Sequence, residues 1–230
     1  FFDRHSSTDE KINELPRYLS HFSGCPADLV RLDATPGYFT YAAKIPKQIK
    51  EVYTSLGIDT NELKFLLILR DPAYRLISAY EHYHRTGFIP ETKTLNDIVE
   101  QGLARYAVAS KKAAEKGRLY SAEGDMIGRG VYAPHIRRWF QVFQSHQFLI
   151  LTLEQLMRDT AGTMAHVQQF LGLPQVDLSS LKHSNKGRYE LPQMPENLVD
   201  FYAPHNEELL KLKDEHPEAF LDTPQNRFGF

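Results

Sequence analysis

Three short, mostly apolar runs lie far apart in the chain, at residues 29–33, 65–69 and 148–153. Polar residues or a helix-starting signal follow each run. Continuous apolar runs of this length are typical of strands that are buried on both faces, as in a parallel sheet. The pattern therefore predicts three interior strands.

Helical patterns separate and follow these runs. Apolar side chains recur at spacings of three and four across 41–56 and 160–171, and Gly172 marks the end of the second helix. Strands that alternate with helices predict an α/β sandwich with a mostly parallel sheet. Ligands bind such sheets at the carboxyl ends of the strands, so the residues directly after each strand are the first candidates for a site.

Residues 86–130 form the least regular part of the pattern. Glycines recur around a helical stretch near 103–116 that is rich in Lys, Glu and Ala. We interpret this segment as an excursion, or lid, over the active-site face of a single domain that spans 1–230.

Opposite charges nearly cancel, because 27 Lys and Arg stand against 29 Asp and Glu for a formal net charge of −2. This balance gives no overall attraction to nucleic acid or to an anionic membrane, and neither is expected as a partner.

The single cysteine, Cys25, cannot form an internal disulfide, and no Cys/His cluster has zinc spacing. No window reaches the ~18 consecutive apolar residues that a membrane span needs. We expect a cytoplasmic protein. Because the net charge is close to zero, any bound anion would be held by a few nearby side chains or backbone groups.

The strand predicted at 65–69 ends on a charged residue, Arg70, which places a guanidinium at the carboxyl end of the sheet. Asp71 and Pro72 are a cap and a first helical residue, and predict a helix over about 72–84 that carries Ser78. A guanidinium, a hydroxyl and the free N–H groups of a helix start together suit a phosphate.

A simpler interpretation of the same residues stays open. Asp71 and Arg75 are four residues apart, so they can form an ion pair along the helix while Arg70 only marks the exit from the sheet.

A second basic cluster is found at Lys186, Gly187 and Arg188. Two cations around a glycine, which lets backbone amides approach a ligand, suit a second contact with phosphate. The alternative is a surface loop of solvated charges.

These motifs resemble those of sulfotransferases that use 3′-phosphoadenosine 5′-phosphosulfate (PAPS). Residues 69–80 are similar to the 3′-phosphate motif of that family, and Lys186-Gly187-Arg188 resembles its cofactor loop. The segments 1–3, 33–39, 130–143, 149–154 and 170–173 follow the family pattern in the same order. The resemblance implies a three-layer α/β sandwich of the P-loop NTPase-like sulfotransferase fold.

Carried over to this chain, the resemblance implies that Arg70 and Ser78 hold the 3′-phosphate of PAPS together with Lys186, Gly187 and Arg188. The donor would leave as adenosine 3′,5′-bisphosphate, and no metal would be required. The family's phosphate loop and catalytic base are expected upstream of Phe1, so the chain alone is not expected to hold the complete catalytic site.

The resemblance also suggests residues near the acceptor. Asp3 is the candidate for orienting the acceptor hydroxyl, with a turn residue as the alternative. Tyr38 and His84 are candidates for the acceptor pocket, although a histidine such as His84 is more often a surface residue or one whose hydrogen bonds are made within the fold. Ala34 stands where members that modify glycans often carry a lysine, which argues against a heparan-type acceptor.

The predicted function is transfer of a sulfuryl group from PAPS to a hydroxyl. The acceptor is a small alcohol, a sugar, or a hydroxyacyl chain on a carrier protein, and the sequence does not choose among these. The alternatives are a P-loop kinase and a non-catalytic nucleotide-binding domain.

Overall fold

A computed structural model of the chain describes residues 1–2, 7–26, 29–115, 126–178 and 194–222. In this part of the chain the strands are β1 (Phe65–Leu69) and β2 (Phe148–Thr152). The helices are α1 (Thr8–Ser20), α2 (Gly37–Thr40), α3 (Ile45–Ser55), α4 (Pro72–Arg85), α5 (Leu95–Glu115), α6 (Tyr132–Phe140), α7 (Leu153–Arg158), α8 (Thr160–Leu171) and α9 (Glu196–Glu215).

The two strands pair in parallel, with Leu69 opposite Thr152 at their carboxyl ends. Both strands therefore end at the same edge of the sheet. Further along the chain, Phe220 forms a parallel bridge to Ile150, and the N–H of Leu221 donates to the carbonyl of Ile150 at 2.8 Å. The prediction of an α/β fold with a parallel sheet is confirmed.

Helices cover both faces of the sheet. The side chains of Leu69, Phe148 and Ile150 face a core built with α1, α3, α6 and α9. Leu149 and Leu151 point to the opposite face and pack with α7 and α8. The strands thus form the middle of three layers. β2 is buried on both faces, whereas Ile68 of β1 is 49% exposed.

A separate core lies beside the sheet, between α4, α5 and α9. It contains the fully buried Leu76 and Ile77 of α4, Val99 of α5 and Leu198 of α9. The helix predicted after Arg70 thus packs an apolar face into this core, and this face attaches α4 to the segment predicted as an excursion.

Local signals set the helix boundaries. Asp71 caps α4 and Pro72 is its first residue, as predicted. Gly172 follows α8 with φ of 71°, in the left-handed region that a glycine tolerates. Within 86–130 the helix begins at Leu95 rather than near 103, because Thr94 and Asp97 hydrogen-bond reciprocally across its first turn. The lid role of this segment stays a prediction.

The strand predicted at 29–33 is wrong. Leu29 is 55% exposed and Leu32 is 67% exposed, and the described sheet contains only β1 and β2. A strand forms where a neighbouring strand satisfies its N–H and C=O groups. No such partner flanks 29–33 in the described part of the chain, so its apolar side chains stay at the surface.

Candidate functional site

Arg70 lies directly after β1, at the edge where both strands end. Its backbone is fixed, because its carbonyl accepts a hydrogen bond of 2.8 Å from the hydroxyl of Tyr132. Its half-buried side chain forms no hydrogen bond or ion pair with any residue of the described ranges. Arg70 therefore offers a guanidinium whose hydrogen-bonding capacity is available for an anion at the strand ends.

The start of α4 does not present the free N–H groups that the sequence suggested. The carboxylate of Asp71 accepts from the N–H of Ala73 at 2.9 Å and of Tyr74 at 3.0 Å. Pro72 has no N–H, and the N–H of Arg75 already donates to the carbonyl of Asp71 at 2.8 Å. The expectation of backbone donors is wrong here, because the capping residue that starts the helix also consumes its free amides.

The alternative prediction, an ion pair between Asp71 and Arg75, is not observed, because both side chains have other partners. Asp71 caps the helix, and the guanidinium of Arg75 donates to the carbonyl of Met126. The Nε of Arg75 is buried without a hydrogen-bond partner among the described residues. Arg75 thus ties α4 to the residues before α6.

Ser78 lies in the second turn of α4 and is half-buried. With a rise of 1.5 Å per residue, it lies about 9 Å along the axis from Pro72. Arg70 and Ser78 therefore belong to one strand-to-helix unit, and their roles in binding stay predictions.

Asp33 is the centre of a hydrogen-bonded cluster near the amino terminus. Its carboxylate accepts from the hydroxyls of Tyr38 at 2.7 Å, Thr35 at 2.8 Å and Tyr18 at 2.9 Å. Burial opposes ionisation of Asp33, but the hydrogen bonds from Tyr38, Thr35 and Tyr18 outweigh it and hold the pKa below its usual range. The cluster joins α1 to α2.

Tyr38 is part of this cluster. Besides donating to Asp33, its hydroxyl accepts from the backbone nitrogens of Phe1 and Phe2, each at 3.1 Å. Burial raises the pKa of Tyr38, with Asp33 acting in the same direction, so the phenol stays protonated. The hydroxyl is used within the fold, and a contact with an acceptor would involve the ring of Tyr38.

His84 lies in the last turn of α4, with its ring tilted against Tyr80 at a centroid distance of 5.4 Å. It is about 18 Å along the helix axis from Pro72. The structure therefore does not bring His84 to the end of α4 that carries Arg70.

Asp3, Lys186, Gly187 and Arg188 lie outside the described residues, and the predictions for them stay predictions. Among the residues that are described, no group of three or more His, Cys, Asp or Glu side chains could hold a metal ion. Within the same ranges, no helix has the length and apolar character to cross a membrane.

Two residues that the sequence did not single out contact the site. Tyr132 contacts the carbonyl of Arg70, and Glu154 accepts from the N–H of Asp71 at 3.2 Å. Glu154 had a detectable signal, since it follows a predicted parallel strand as Arg70 does. Tyr132 lies in the segment 130–143 that follows the family pattern, but its contact with Arg70 was not predicted, because it depends on the packing of α6 against the sheet.

The family model described as "Sulfotransferase domain" matches residues 42–189, more than half of the chain. The matched range contains Arg70, Ser78 and the Lys186-Gly187-Arg188 segment.

Curated relatives carry related names. The human heparan sulfate glucosamine 3-O-sulfotransferase 3B1 is 26% identical over 157 residues, which cover 68% of this chain and 35% of the relative. Carbohydrate sulfotransferase 15 of Rattus norvegicus is 27% identical over 180 residues, 70% of this chain and 32% of the relative. The chain thus spans about a third of the length of these relatives.

A solved structure shares the fold. The crystal structure of a sulfotransferase from Alicyclobacillus acidocaldarius aligns with a TM-score of 0.59 at 24% identity, over 89% of this chain and 74% of that chain. With the family match, the fold and family expected from the motifs are confirmed. The chain belongs to the sulfotransferase domain family.

Proposed function

We propose that this chain forms the 3′-phosphate half of a PAPS site in an enzyme that transfers a sulfuryl group to a carbohydrate hydroxyl. The observation that carries the proposal is Arg70, a guanidinium with no partner among the described residues, at the shared end of two parallel strands. It lies within the segment that matches the sulfotransferase family model.

The donor groups present suit the nucleotide. A charged guanidinium forms strong hydrogen bonds with phosphate oxygens, and we propose that Ser78 contributes a hydroxyl contact to the same phosphate. Because the amides at the start of α4 are occupied by Asp71, side chains must supply the binding energy here. Lys186, Gly187 and Arg188 are proposed to complete this set.

PAPS supplies the activated sulfuryl group when bound, and the role of these residues is to bind and orient the nucleotide. Asp3 is proposed to orient the acceptor hydroxyl. The kinase and the non-catalytic domain, which the sequence left open, have no support from the relatives found.

A sugar is the acceptor best supported among those that the sequence left open. The relatives are named for heparan sulfate glucosamine and for carbohydrate. Neither a small alcohol nor a carrier-bound chain has comparable support. Position 34, where the family resemblance suggests a lysine, is an exposed alanine, and on that ground we propose a sugar less anionic than heparan.

Calorimetric titration with adenosine 3′,5′-bisphosphate, with adenosine 5′-monophosphate as the comparison ligand, tests the nucleotide site. Arg70→Ala removes one charged contact to the 3′-phosphate. We expect it to weaken bisphosphate binding by ~1.5–3 kcal/mol, roughly ten- to a hundredfold, and to leave binding of the monophosphate unchanged.

The matched control is Arg85→Ala, which removes an exposed arginine from the opposite end of α4. It should bind both nucleotides as the wild type does. Equal bisphosphate affinity in wild type and a folded Arg70→Ala variant would contradict the proposed site.

A further inference from the structure

The peptide bond between Arg70 and Asp71 is held from both sides by side chains. Its carbonyl accepts from the hydroxyl of Tyr132 at 2.8 Å, and its N–H donates to Oε1 of Glu154 at 3.2 Å. The two side chains come from different helices: Tyr132 is the first residue of α6 and Glu154 lies in the first turn of α7. One peptide plane is thus fixed by two elements that are distant in sequence.

Fixing this plane sets the direction in which the Arg70 side chain leaves the backbone. The plane limits rotation about ψ of Arg70 and φ of Asp71, the two dihedrals at the junction of β1 and α4. Arg70 is long, so a small rotation at its root becomes a large displacement of the guanidinium. A binding group works best when such rotation is removed before the ligand arrives.

Tyr132 is suited to be a permanent donor. Its side chain is buried, with 4% of the residue exposed, and its ring lies 6.2 Å from that of Phe39. Burial raises the pKa of Tyr132 to about 12, against the opposing effects of Arg75 and of the hydrogen bond to Arg70. The hydroxyl therefore keeps its proton at physiological pH.

Glu154 uses one carboxylate oxygen for this contact. Its Oε2 is buried without a hydrogen-bond partner among the described residues. The contact needs only an acceptor oxygen, and a glutamine side chain has one in the same place. This provides a conservative substitution for a test.

We propose that Tyr132 and Glu154 are positioning residues that act on nucleotide binding through Arg70, by fixing the Arg70–Asp71 peptide. The inference rests on the proposed function, because it assumes that Arg70 contacts the 3′-phosphate. Neither residue is proposed to touch the nucleotide.

The test is calorimetric titration of the full chain with adenosine 3′,5′-bisphosphate and with adenosine 5′-monophosphate. Tyr132→Phe removes one hydroxyl and keeps the ring. We expect it to weaken bisphosphate binding roughly three- to tenfold, which corresponds to the loss of one neutral hydrogen bond. Binding of the monophosphate should be unaffected. Glu154→Leu should behave in the same way, and Glu154→Gln should regain most of the lost affinity.

The matched control is Tyr80→Phe. The Tyr80 hydroxyl also donates to a backbone carbonyl, that of Lys93 at 3.0 Å, but it belongs to the core between α4 and α5. Thermal unfolding of the two Tyr→Phe variants should show similar losses of stability. Only Tyr132→Phe should change the preference for the bisphosphate, which separates positioning from general stability.

The double variant Arg70→Ala with Tyr132→Phe shows whether Tyr132 acts through Arg70. If it does, the double variant binds the bisphosphate as Arg70→Ala alone does. A further loss in the double variant, or an equal loss for the monophosphate, would overturn the inference and leave the proposed function in place. A wild-type chain that does not distinguish the two nucleotides would overturn the proposed function, and the inference with it.

Discussion

His135 is a buried histidine in α6. Only 2% of the residue is exposed, its Nε2 is 3.4 Å from the carbonyl of Gly128, and its Nδ1 is buried without a partner among the described residues. Burial lowers its pKa from 6.5 to about 4, Arg138 acts in the same direction, and the hydrogen bond with Gly128 opposes both. His135 is therefore neutral in the folded protein at physiological pH.

This residue should make the fold sensitive to mild acid. Because the folded-state pKa is below the unfolded one, the unfolded chain takes up the proton first as the pH falls. The stability contribution is complete above about pH 6.5 and is lost between there and about pH 4. Urea unfolding should show that His135 accounts for about 2 kcal/mol of the stability lost between pH 7.5 and pH 5.

The variant His135→Gln, which does not titrate, should lack that part of the pH dependence. His146→Gln is the control, because His146 is exposed, and it should keep the wild-type profile. Identical pH profiles for wild type and His135→Gln would exclude this role.

Arg70 and Asp71 show how far sequence reasoning extends to single residues. The end of an apolar run placed Arg70 correctly, and the Asp-Pro pair correctly predicted a capped helix. The same pair could not also leave the helix amides open to phosphate, because capping uses them. The contacts of Arg70 and Asp71 with Tyr132 and Glu154 had no local signal, since 62 and 83 residues separate the partners.

Gly130 lies shortly before α6 and packs closely against Tyr202. A Cβ at this position would lie 2.8 Å from ring atoms of Tyr202, whose hydroxyl donates to the carbonyl of Ile127 at 2.7 Å. Tyr202 is 1% exposed and cannot move aside without disturbing the core of α4, α5 and α9. Gly130→Ala should lower the free energy of unfolding by about 1–3 kcal/mol, the usual cost of overpacking.

Chemical denaturation of Gly130→Ala and Gly24→Ala checks this prediction. A Cβ at Gly24 would meet nothing within 4 Å, so that variant should remain as stable as the wild type. If the two variants are equally stable, the space between Gly130 and Tyr202 can accept a methyl group and the prediction is wrong.

Among the helices and strands, those with start and stop signals in the local sequence were predictable. Those that depend on pairing with a distant strand were not. α4 and α8 carry their own caps and stops, and both were found. The start of α5 also had a local signal in Thr94 and Asp97, which the composition of the segment obscured. The run at 29–33 looked like a strand, but pairing is not encoded in the run itself.

Gln155 connects the end of the sheet to the last described segment. It is fully buried, its Nε2 donates to the carbonyl of Leu221 at 2.6 Å, and its Oε1 accepts from the N–H of Thr152 at 2.7 Å. Gln155→Met fills similar space but leaves two buried backbone groups unpaired. We expect it to lower the free energy of unfolding by about 2–4 kcal/mol.

Gln175→Met is the matched control, because the exposed Gln175 also donates to a backbone carbonyl, that of Ala165 at 3.0 Å. Its effect should stay within about 0.5 kcal/mol. Urea unfolding of both variants measures these changes in the free energy of unfolding. Similar small changes for the two variants would show that the hydrogen bonds of Gln155 do not stabilise the fold to the expected extent.

For the whole molecule, the order of apolar runs and helices predicted an α/β sandwich with a mostly parallel sheet, and the family resemblance implied the three layers that are found. The bridge from Ile150 to Phe220 was not predictable, because 70 residues separate its partners along the chain. The alternation of strands and helices along the chain predicts a layered α/β fold. Contacts between distant segments depend on how those layers pack, which the alternation does not specify.

Asp71 divides two tasks that many anion sites combine. In a site where helix amides bind the anion, the same amides serve both the ligand and the helix start. Here the carboxylate of Asp71 completes the helix start, so the proposed anion would contact neighbouring side chains instead. If Arg70 binds the anion as proposed, substitutions at Arg70 should alter affinity and leave the capped start of α4 intact. This end of the proposed site is modular: the residue that would contact the anion and the residue that completes the helix are separate.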